Sequence, residues 1–396
     1  MPLLFGRQLS RRDLERRVGA RAQIFGVTLS ELGDGPERGV RVLEFRTGSG
    51  MVFTVLVDRT MDIGRFEHRG TPLAWQSGTG FRSPFLHAPM DDGGAGFMRG
   101  FSGFLCTCGF DHMRQPESGP ADHFDNPLRK QIDYPLHGRG AFVPARLTGY
   151  GERWDGDECT LWCEGIVTQA QVLGEYLTLT RRIEARVGES SITIRDRIVN
   201  EGFARTPHAL LYHLNLGWPL LDAGARFRAP IRATLAANHA REIQFGGYRT
   251  LSGPTPHFLQ QVFDHDAMAD AQGRIPAALI NDRLGLGVVI DYSAAQFPCL
   301  QEWQAFGEGL YALGIEPVTT HWGTRAHAVE RGEMVWLEHG EARDYDTRVT
   351  IADGAVEIAA LDARIDAIHP QTTDETPVRT RQPAGGPVIT TQTARR

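Results

Sequence analysis

The sequence has little of what marks a membrane, secreted or nucleic-acid-binding protein. No apolar run in its 396 residues approaches the roughly 20 that span a bilayer, and residues 1–20 lack the apolar core of a signal peptide. Lys and Arg total 42 against 48 Asp and Glu, so the net charge of -6 leaves no dominant basic stripe. We therefore expect a cytoplasmic protein whose partners include neither a membrane nor a nucleic acid.

Cysteine is also scarce. The five cysteines form an odd set among apolar neighbours, which favours reduced core thiols over a disulfide framework. Cys106 and Cys108 would share one face of a strand, so a metal-binding pair is an alternative to two small buried side chains. Burial is the better interpretation of the pair, and the sequence predicts no metal site.

Long helical patterns are rare, whereas strand-like alternation is common. Apolar and polar residues alternate through residues 176–187, and a turn at residues 188–190 leads into a second alternating run. This pattern predicts an antiparallel hairpin, and residues 40–57 predict another around a Gly-Ser-Gly turn. With 45 glycines, 22 prolines and many short strands, the chain is predicted to be an all-β protein built of antiparallel sheets.

The ends of the chain differ from this pattern. Ser10 and Asp13 have the spacing of a capping box, which predicts a helix through about Val18 within an N-terminal extension of residues 1–25. Residues 371–396 are rich in Thr, Gln, Pro, Gly and Arg, which predicts a disordered tail. Between them, residues 26–370 are predicted to form one domain, although length alone would also allow two smaller ones.

Two segments place a histidine among glycines or apolar residues. His137 and Arg139 each precede a glycine that would let a ligand approach closely, but an ordinary surface turn is the simpler interpretation of this segment alone. Further along, strand alternation puts His213 and Asn215 on one face with Leu211. A hydrogen-bonded core histidine and a sugar-binding site fit this second pattern equally well.

A third segment places Glu316 between apolar residues and a proline. Burial of an ionised carboxylate is costly, and desolvation would bring its pKa toward the range of a general base. An exposed glutamate without a role is the alternative, but the apolar context favours function. Upstream, Gln301 and Trp303 offer an amide and an aromatic face suited to a sugar ring, although Trp303 is equally plausible as a core residue.

Five segments, taken in order, resemble an uncharacterised branch of the aldose 1-epimerase (galactose mutarotase-like) superfamily. They are Asp-Arg-Thr-Met-Asp-Ile at 58–63, Cys-Thr-Cys-Gly at 106–109, Leu-His-Gly-Arg at 136–139, Tyr-His-Leu-Asn-Leu-Gly at 212–217 and Gly-Ile-Glu-Pro at 314–317. The resemblance implies a galactose mutarotase-like β-supersandwich of large antiparallel sheets. It also implies that residues 26–370 are a sugar-binding domain with the sugar in an open groove.

The resemblance further implies roles for individual residues. In the superfamily, a strand-borne histidine donates a proton to the ring oxygen and a C-terminal glutamate removes one from the anomeric hydroxyl. These catalytic roles fall on His213 and Glu316. An earlier histidine and an arginine help to hold the sugar, and these roles fall on His137 and on Arg59 or Arg139.

Other positions fit the superfamily less closely. Asp222 is the nearest candidate for its sugar-binding aspartate. The superfamily places an asparagine three residues after the catalytic histidine and usually an amide after the glutamate, whereas here Asn215 is two away and Pro317 follows Glu316. These departures leave the substrate and the reaction open.

The resulting prediction is a carbohydrate-binding isomerase that catalyses aldose anomerisation. Two proton transfers by a His and Glu pair suffice for this reaction, so no cofactor is predicted. The predicted partner is a small carbohydrate. It is expected to be neutral or mildly acidic, because the sequence contains no glycine-rich phosphate-binding loop. One alternative is an epimerase or lyase that abstracts a proton from an oxidised sugar, where a metal would help, although the spacing of the histidines matches no ligand rule. The other is a non-catalytic carbohydrate-binding protein.

Overall fold

The computed structural model describes residues 1–124, 126–237 and 247–370, together with the backbone of Val378–Thr380. The chain divides into two compact units. The N-terminal unit comprises Met1–Tyr212 and Met334–Arg348, and the C-terminal unit comprises His213–Glu333 and the residues from Val349 onward. Most regular structure in both units is antiparallel strand, so the predicted all-β class is confirmed.

The strands, numbered in chain order, are β1 (Leu3–Leu4), β2 (Arg7–Gln8), β3 (Gly26–Glu31), β4 (Arg41–Arg46), β5 (Met51–Leu56), β6 (Asp62–His68), β7 (Thr71–Pro72), β8 (Leu105–Phe110), β9 (Glu117–Pro120), β10 (Gln131–Tyr134), β11 (Arg146–Asp155), β12 (Glu158–Ala170), β13 (Tyr176–Arg186), β14 (Ser191–Asn200), β15 (Thr206–Gly217), β16 (Arg226–Arg228), β17 (Ile231–Ala236), β18 (Gln261–Ala267), β19 (Arg274–Asn281), β20 (Leu286–Ser293), β21 (Cys299–Gly307), β22 (Leu310–Val318), β23 (Val335–Leu337), β24 (Ala342–Asp353) and β25 (Val378–Thr380). The α-helices are α1 (Arg11–Glu15), α2 (Asp91–Gly94), α3 (Arg325–Glu330) and α4 (Ala355–Ile368). Single 3-10 turns occur at Arg21–Gln23, Gly35–Glu37, Pro84–Leu86 and Gly96–Arg99.

Two sheets of sequential antiparallel strands dominate the N-terminal unit. One follows the order β3-β4-β5-β6-β7, and the other contains β11-β12-β13-β14. Both predicted hairpins are present: Ile183 on β13 pairs with Ile194 on β14, and Phe45 on β4 pairs with Phe53 on β5. Every second residue of β13 is buried, as the alternation predicted, so its inward face belongs to the core.

One residue of that inward face is charged. Arg181 has no exposed side-chain surface and lies between two buried aspartates. Its Nη1 donates to Oδ1 of Asp62 at 3.0 Å, and its Nε donates to Oδ1 of Asp196 at 2.8 Å. Tyr212 donates its hydroxyl hydrogen bond to Asp196. The core of the N-terminal unit therefore encloses a charge cluster whose members satisfy one another.

The cysteine and helix predictions are confirmed with one adjustment. All five cysteines are buried thiols. The capping box of Ser10 and Asp13 is present, but α1 ends at Glu15, before Val18, and the backbone is extended again at Ala20. No helix within the described residues is long and apolar enough to cross a membrane. The predicted single domain over residues 26–370 stays a prediction.

The predicted disordered tail, residues 371–396, lies outside the described residues except for the backbone of β25. That strand runs parallel to β17, with Leu235 opposite Arg379.

The C-terminal unit contains the antiparallel order β22-β21-β18-β17 and the hairpin β19-β20, with β16 on the outer side of β19. Helix α4 packs three buried residues, Ile358, Leu361 and Ile365, against apolar side chains of β19 and β20. In the first group of strands, Gln301 on β21 lies opposite both Glu316 on β22 and Asp264 on β18. This register sets three polar side chains side by side on one face.

Two buried histidines should make the fold sensitive to acid. Burial lowers the pKa of His208 to about 4 and the pKa of His265 to about 3. In the unfolded chain both rings protonate below about pH 6.5, so the unfolded state binds more protons and stability falls as pH falls from 6.5 toward 4. Each ring contributes up to about 1.4 kcal/mol per pH unit to that slope.

Urea unfolding at pH 7.5, 6 and 5 measures this slope. We expect His208→Gln to reduce the slope of the unfolding free energy against pH by the equivalent of about one proton. The same change at the exposed His339 should leave this slope unaltered. An identical slope in wild type and His208→Gln would contradict the prediction.

Candidate functional site

His213 and Glu316 are in direct contact. The Nε2 atom of His213 lies 3.2 Å from Oε1 of Glu316, and each side chain is only 5% exposed. Both residues sit in strands that are buried around them, which fixes their rotamers. A carboxylate and an imidazole placed together can each exchange a proton with a bound ligand.

Gly314 makes room for this contact. A Cβ atom at this position would lie 2.8 Å from Oε1 of Glu316 and 2.9 Å from Cε1 of His213. Any larger residue would therefore push the pair apart. A glycine inside a strand signals close approach of another group, but the sequence analysis assigned no role to Gly314.

Strand β21 supplies an amide and an aromatic ring next to the pair. Gln301 lies opposite Glu316, and Trp303 lies opposite Gly314. The indole ring meets the imidazole of His213 edge to face, with centroids 5.2 Å apart and an interplanar angle of 82°. Trp303 also donates from Nε1 to Oε1 of Gln260 at 2.9 Å, so the ring that supports His213 is itself held.

Asp264 and His321 extend the arrangement, and neither was predicted from the sequence as a sugar-binding residue. Nε2 of Gln301 donates to Oδ1 of Asp264 at 3.4 Å, while Oδ2 of Asp264 lies 3.2 Å from Nδ1 of His321. We call the five residues His213, Glu316, Gln301, Asp264 and His321 the polar row. The signal for Asp264 was weaker than the one for Glu316, because this carboxylate follows two apolar residues but begins a polar run with His265 and Asp266.

The structure places Asp222 and Asn215 differently from the polar row. Asp222 forms an ion pair with Arg283 and accepts a hydrogen bond from the backbone of Ala223. Asn215 is buried and donates from Nδ2 to the carbonyl oxygen of His213 at 3.0 Å, so it supports the backbone of the proposed acid. Their predicted contacts with a sugar stay predictions.

Comparison with known families adds an identification. A family model described as "Domain of unknown function (DUF4432)" matches residues 37–351. The chain belongs to the DUF4432 family. Comparison with curated proteins gave no match.

Solved structures show which fold this DUF4432 protein has. It is similar to a protein provisionally assigned as an aldose 1-epimerase from Klebsiella pneumoniae subsp. pneumoniae MGH 78578, with 23% identity, coverage of 93% of this chain and 94% of that one, and a TM-score of 0.81. It is also similar to a galactose mutarotase-like protein from Clostridium acetobutylicum, with 13% identity, coverage of 84% and 99%, and a TM-score of 0.57. The predicted galactose mutarotase-like fold is confirmed.

The other predicted binding residues of the DUF4432 protein belong to its N-terminal unit. Arg59 is 1% exposed, lies over the ring of Phe142 and donates to backbone carbonyls of residues 82 and 100. The guanidinium of Arg139 donates to the carbonyl oxygen of Asp133. His137 packs against Phe97 with ring centroids 4.7 Å apart. The sugar contacts predicted for these three residues stay predictions.

Glu302 and His265 form a separate buried network, one residue along from Gln301 and Asp264 on the same strands. Nε2 of His265 lies 3.2 Å from Oε2 of Glu302, and Nε2 of Gln304 donates to Oε1 of Glu302 at 2.7 Å. Burial, together with the nearby charge of Glu316, raises the pKa of Glu302 well above its usual range. Protonated Glu302 therefore donates to neutral His265. We assign this second pair of a glutamate and a histidine a structural role.

Proposed function

We propose that this DUF4432 protein is an isomerase that interconverts the two anomers of a free aldose. The observation that carries the proposal is the contact of 3.2 Å between His213 and Glu316, beside an amide and an aromatic ring. Two neighbouring groups that can each hold a proton are what anomerisation requires. The galactose mutarotase-like fold is consistent with this chemistry but does not by itself fix it.

In the proposed reaction, Glu316 removes the proton from the anomeric hydroxyl while His213 gives a proton to the ring oxygen. The C1–O5 bond breaks, O1 becomes a carbonyl oxygen, and the sugar opens to its aldehyde. After rotation about C1–C2, O5 attacks the other face of C1. His213 then recovers its proton from O5, and Glu316 returns one to O1, so the protein ends in its starting state.

The rest of the site provides hydrogen bonds for a neutral sugar. Gln301 contributes an amide, and Asp264 contributes a second carboxylate on the same face as Glu316. Two carboxylates on one face would repel a phosphate or a uronate bound between them. We therefore propose a neutral aldose as the substrate.

Polarimetry or saturation-transfer NMR on purified protein tests the proposal. Freshly dissolved single anomers of common aldoses should reach equilibrium faster with enzyme than without it, at a rate proportional to enzyme concentration. Failure to accelerate any aldose in a broad panel would overturn the proposed function. Sugar binding without turnover would then favour a carbohydrate-binding protein.

A further inference from the structure

We propose that His321 is a further substrate-binding residue, oriented by Asp264, which hydrogen-bonds one sugar hydroxyl on the side of the ring remote from the anomeric carbon. This inference rests on the proposed function, because it places the anomeric carbon at the His213 and Glu316 end of the polar row.

Asp264 fixes the orientation of the His321 ring. The aspartate is buried. Its Oδ2 accepts from Nδ1 of His321 at 3.2 Å and from the backbone N–H of Trp322 at 3.0 Å. A hydrogen bond to a carboxylate places the proton of a neutral imidazole on the nitrogen that donates it. His321 therefore holds a proton on Nδ1, and Nε2 is the ring nitrogen that we assign to the sugar hydroxyl.

The backbone of His321 is also held from both sides. Its N–H donates to Oε2 of Glu333 at 3.0 Å, and its carbonyl oxygen accepts from Nη2 of Arg331 at 3.0 Å. Arg331 and Glu333 are themselves an ion pair at 2.6 Å. The loop after β22 thus sets the position of the imidazole before any ligand binds, which lowers the entropic cost of recognition.

Exposure separates His321 from the other titratable members of the polar row. Its side chain is 32% exposed, whereas that of Asp264 is 1% exposed and those of His213 and Glu316 are 5% exposed. A histidine that served only to satisfy Asp264 could be buried with it. The His321 ring is instead held by Asp264 on one side and exposed to solvent on the other, as a ligand-contacting group must be.

The spacing of the strands limits the ligand to one ring. Glu316, Gln301 and Asp264 occupy directly paired positions on three adjacent strands. Two strand spacings separate the outer strand positions by about 10 Å, and Gln301 lies between them, so a ligand that contacts both ends must lie over Gln301. A single six-membered sugar ring with its hydroxyl groups is of a suitable size for this arrangement. With O1 at Glu316, the hydroxyl on C3 or C4 would face Asp264 and His321.

Deoxy sugars test the assignment. The test measures kcat/KM for the preferred aldose and for its 3-deoxy and 4-deoxy analogues, in wild type and in His321→Asn. The asparagine keeps an amide donor for Asp264 but removes Nε2. For one analogue we expect wild type to lose about 3- to 10-fold relative to the parent sugar, the usual value of one hydrogen bond. His321→Asn should lose the same factor on the parent sugar and little more on that analogue.

A histidine in helix α3, which follows this loop, provides the control. His327 takes part in the capping box of α3, so His327→Asn changes a nearby histidine that is outside the polar row. It should retain the wild-type penalty for the deoxy sugar. His321→Gln, which carries a polar atom close to the position of Nε2, should recover part of the discrimination.

The outcomes separate this inference from the proposed function. An equal deoxy penalty in wild type and His321→Asn would show that His321 does not contact the sugar, even if anomerisation is confirmed. If no aldose is turned over, calorimetric binding of the same sugars replaces kcat/KM. Discrimination lost in His321→Asn would then support His321 while the proposed reaction fails, and absence of any sugar binding would overturn both.

Discussion

Replacing Glu316 with glutamine should lower the rate of anomer interconversion by about 10²- to 10⁴-fold, the usual contribution of a positioned acid or base. Glutamine has nearly the same shape and can keep the contact with His213, but it cannot accept the proton of the anomeric hydroxyl. The variant should therefore keep a side-chain contact like that of 3.2 Å between His213 and Glu316, while the proton transfer is lost. The fold should be retained, as judged by circular dichroism and thermal unfolding.

Glu302, on the adjacent strand β21, provides a matched control for Glu316. Glu302 is fully buried and next to a histidine, as Glu316 is, but its pKa is raised by burial so that it is already protonated. Glu302→Gln replaces a neutral acid by a neutral amide of the same shape and should change the rate by less than about twofold. Equal losses in Glu302→Gln and Glu316→Gln, or wild-type activity in Glu316→Gln, would remove Glu316 from the mechanism.

The losses of activity from changing His213 and Glu316 should not be additive. His213→Asn should lose activity within the same range of about 10²- to 10⁴-fold. Because both residues serve one exchange of protons, the double variant should be little worse than the poorer single variant.

The sequence named His213, Glu316 and Gln301 as candidate site residues, and the structure brings these three side chains together, but the sequence did not identify Asp264. His213 and Glu316 stood out because each interrupts an otherwise apolar run of a strand. Asp264 is followed by His265 and Asp266, and this run of three polar residues hides which one faces the site. Only the pairing of β18 with β21, which joins distant parts of the chain, shows that Asp264 lies beside Gln301.

Loop residues are harder still to predict, since they follow no period. His321 comes after the end of β22, and its relation to Asp264 depends on a contact across 57 positions of sequence. Asp222 was named from resemblance rather than from a local pattern. Its side chain pairs with Arg283, and its predicted contact with a sugar stays a prediction.

Arg181 shows how a regular pattern can contain an irregular residue. Its parity on β13 places it on the inward face with Leu179 and Ile183, where a charge is tolerated only if partners are supplied. Those partners, Asp62 and Asp196, come from β6 and β14. The buried position agrees with the alternation of the strand, although Arg181 was not assigned to either face from the sequence, and the charge cluster depends on tertiary contacts that the local sequence does not contain.

Replacing Arg181 with methionine should therefore destabilise the protein by about 3–5 kcal/mol, the usual cost of removing one partner from a buried ion pair. Methionine fills much of the same volume, so the loss comes chiefly from leaving Asp62 and Asp196 buried without their cation. The adjacent Arg182 points to the other face, where its side chain is 25% exposed and pairs with Glu164 and Glu184. Arg182→Met should cost about 1 kcal/mol or less, as is usual for surface ion pairs.

Urea unfolding of the two variants at pH 7.5 measures the difference, and neutralising both aspartates in the Arg181→Met background should recover part of the loss. That recovery distinguishes unpaired charge from poor packing, because a cavity or a clash would persist whether or not Asp62 and Asp196 are charged. If Arg181→Met and Arg182→Met were equally stable, the buried cluster would contribute no more than a surface pair. The inward face of β13 would then owe its stability to its apolar residues alone.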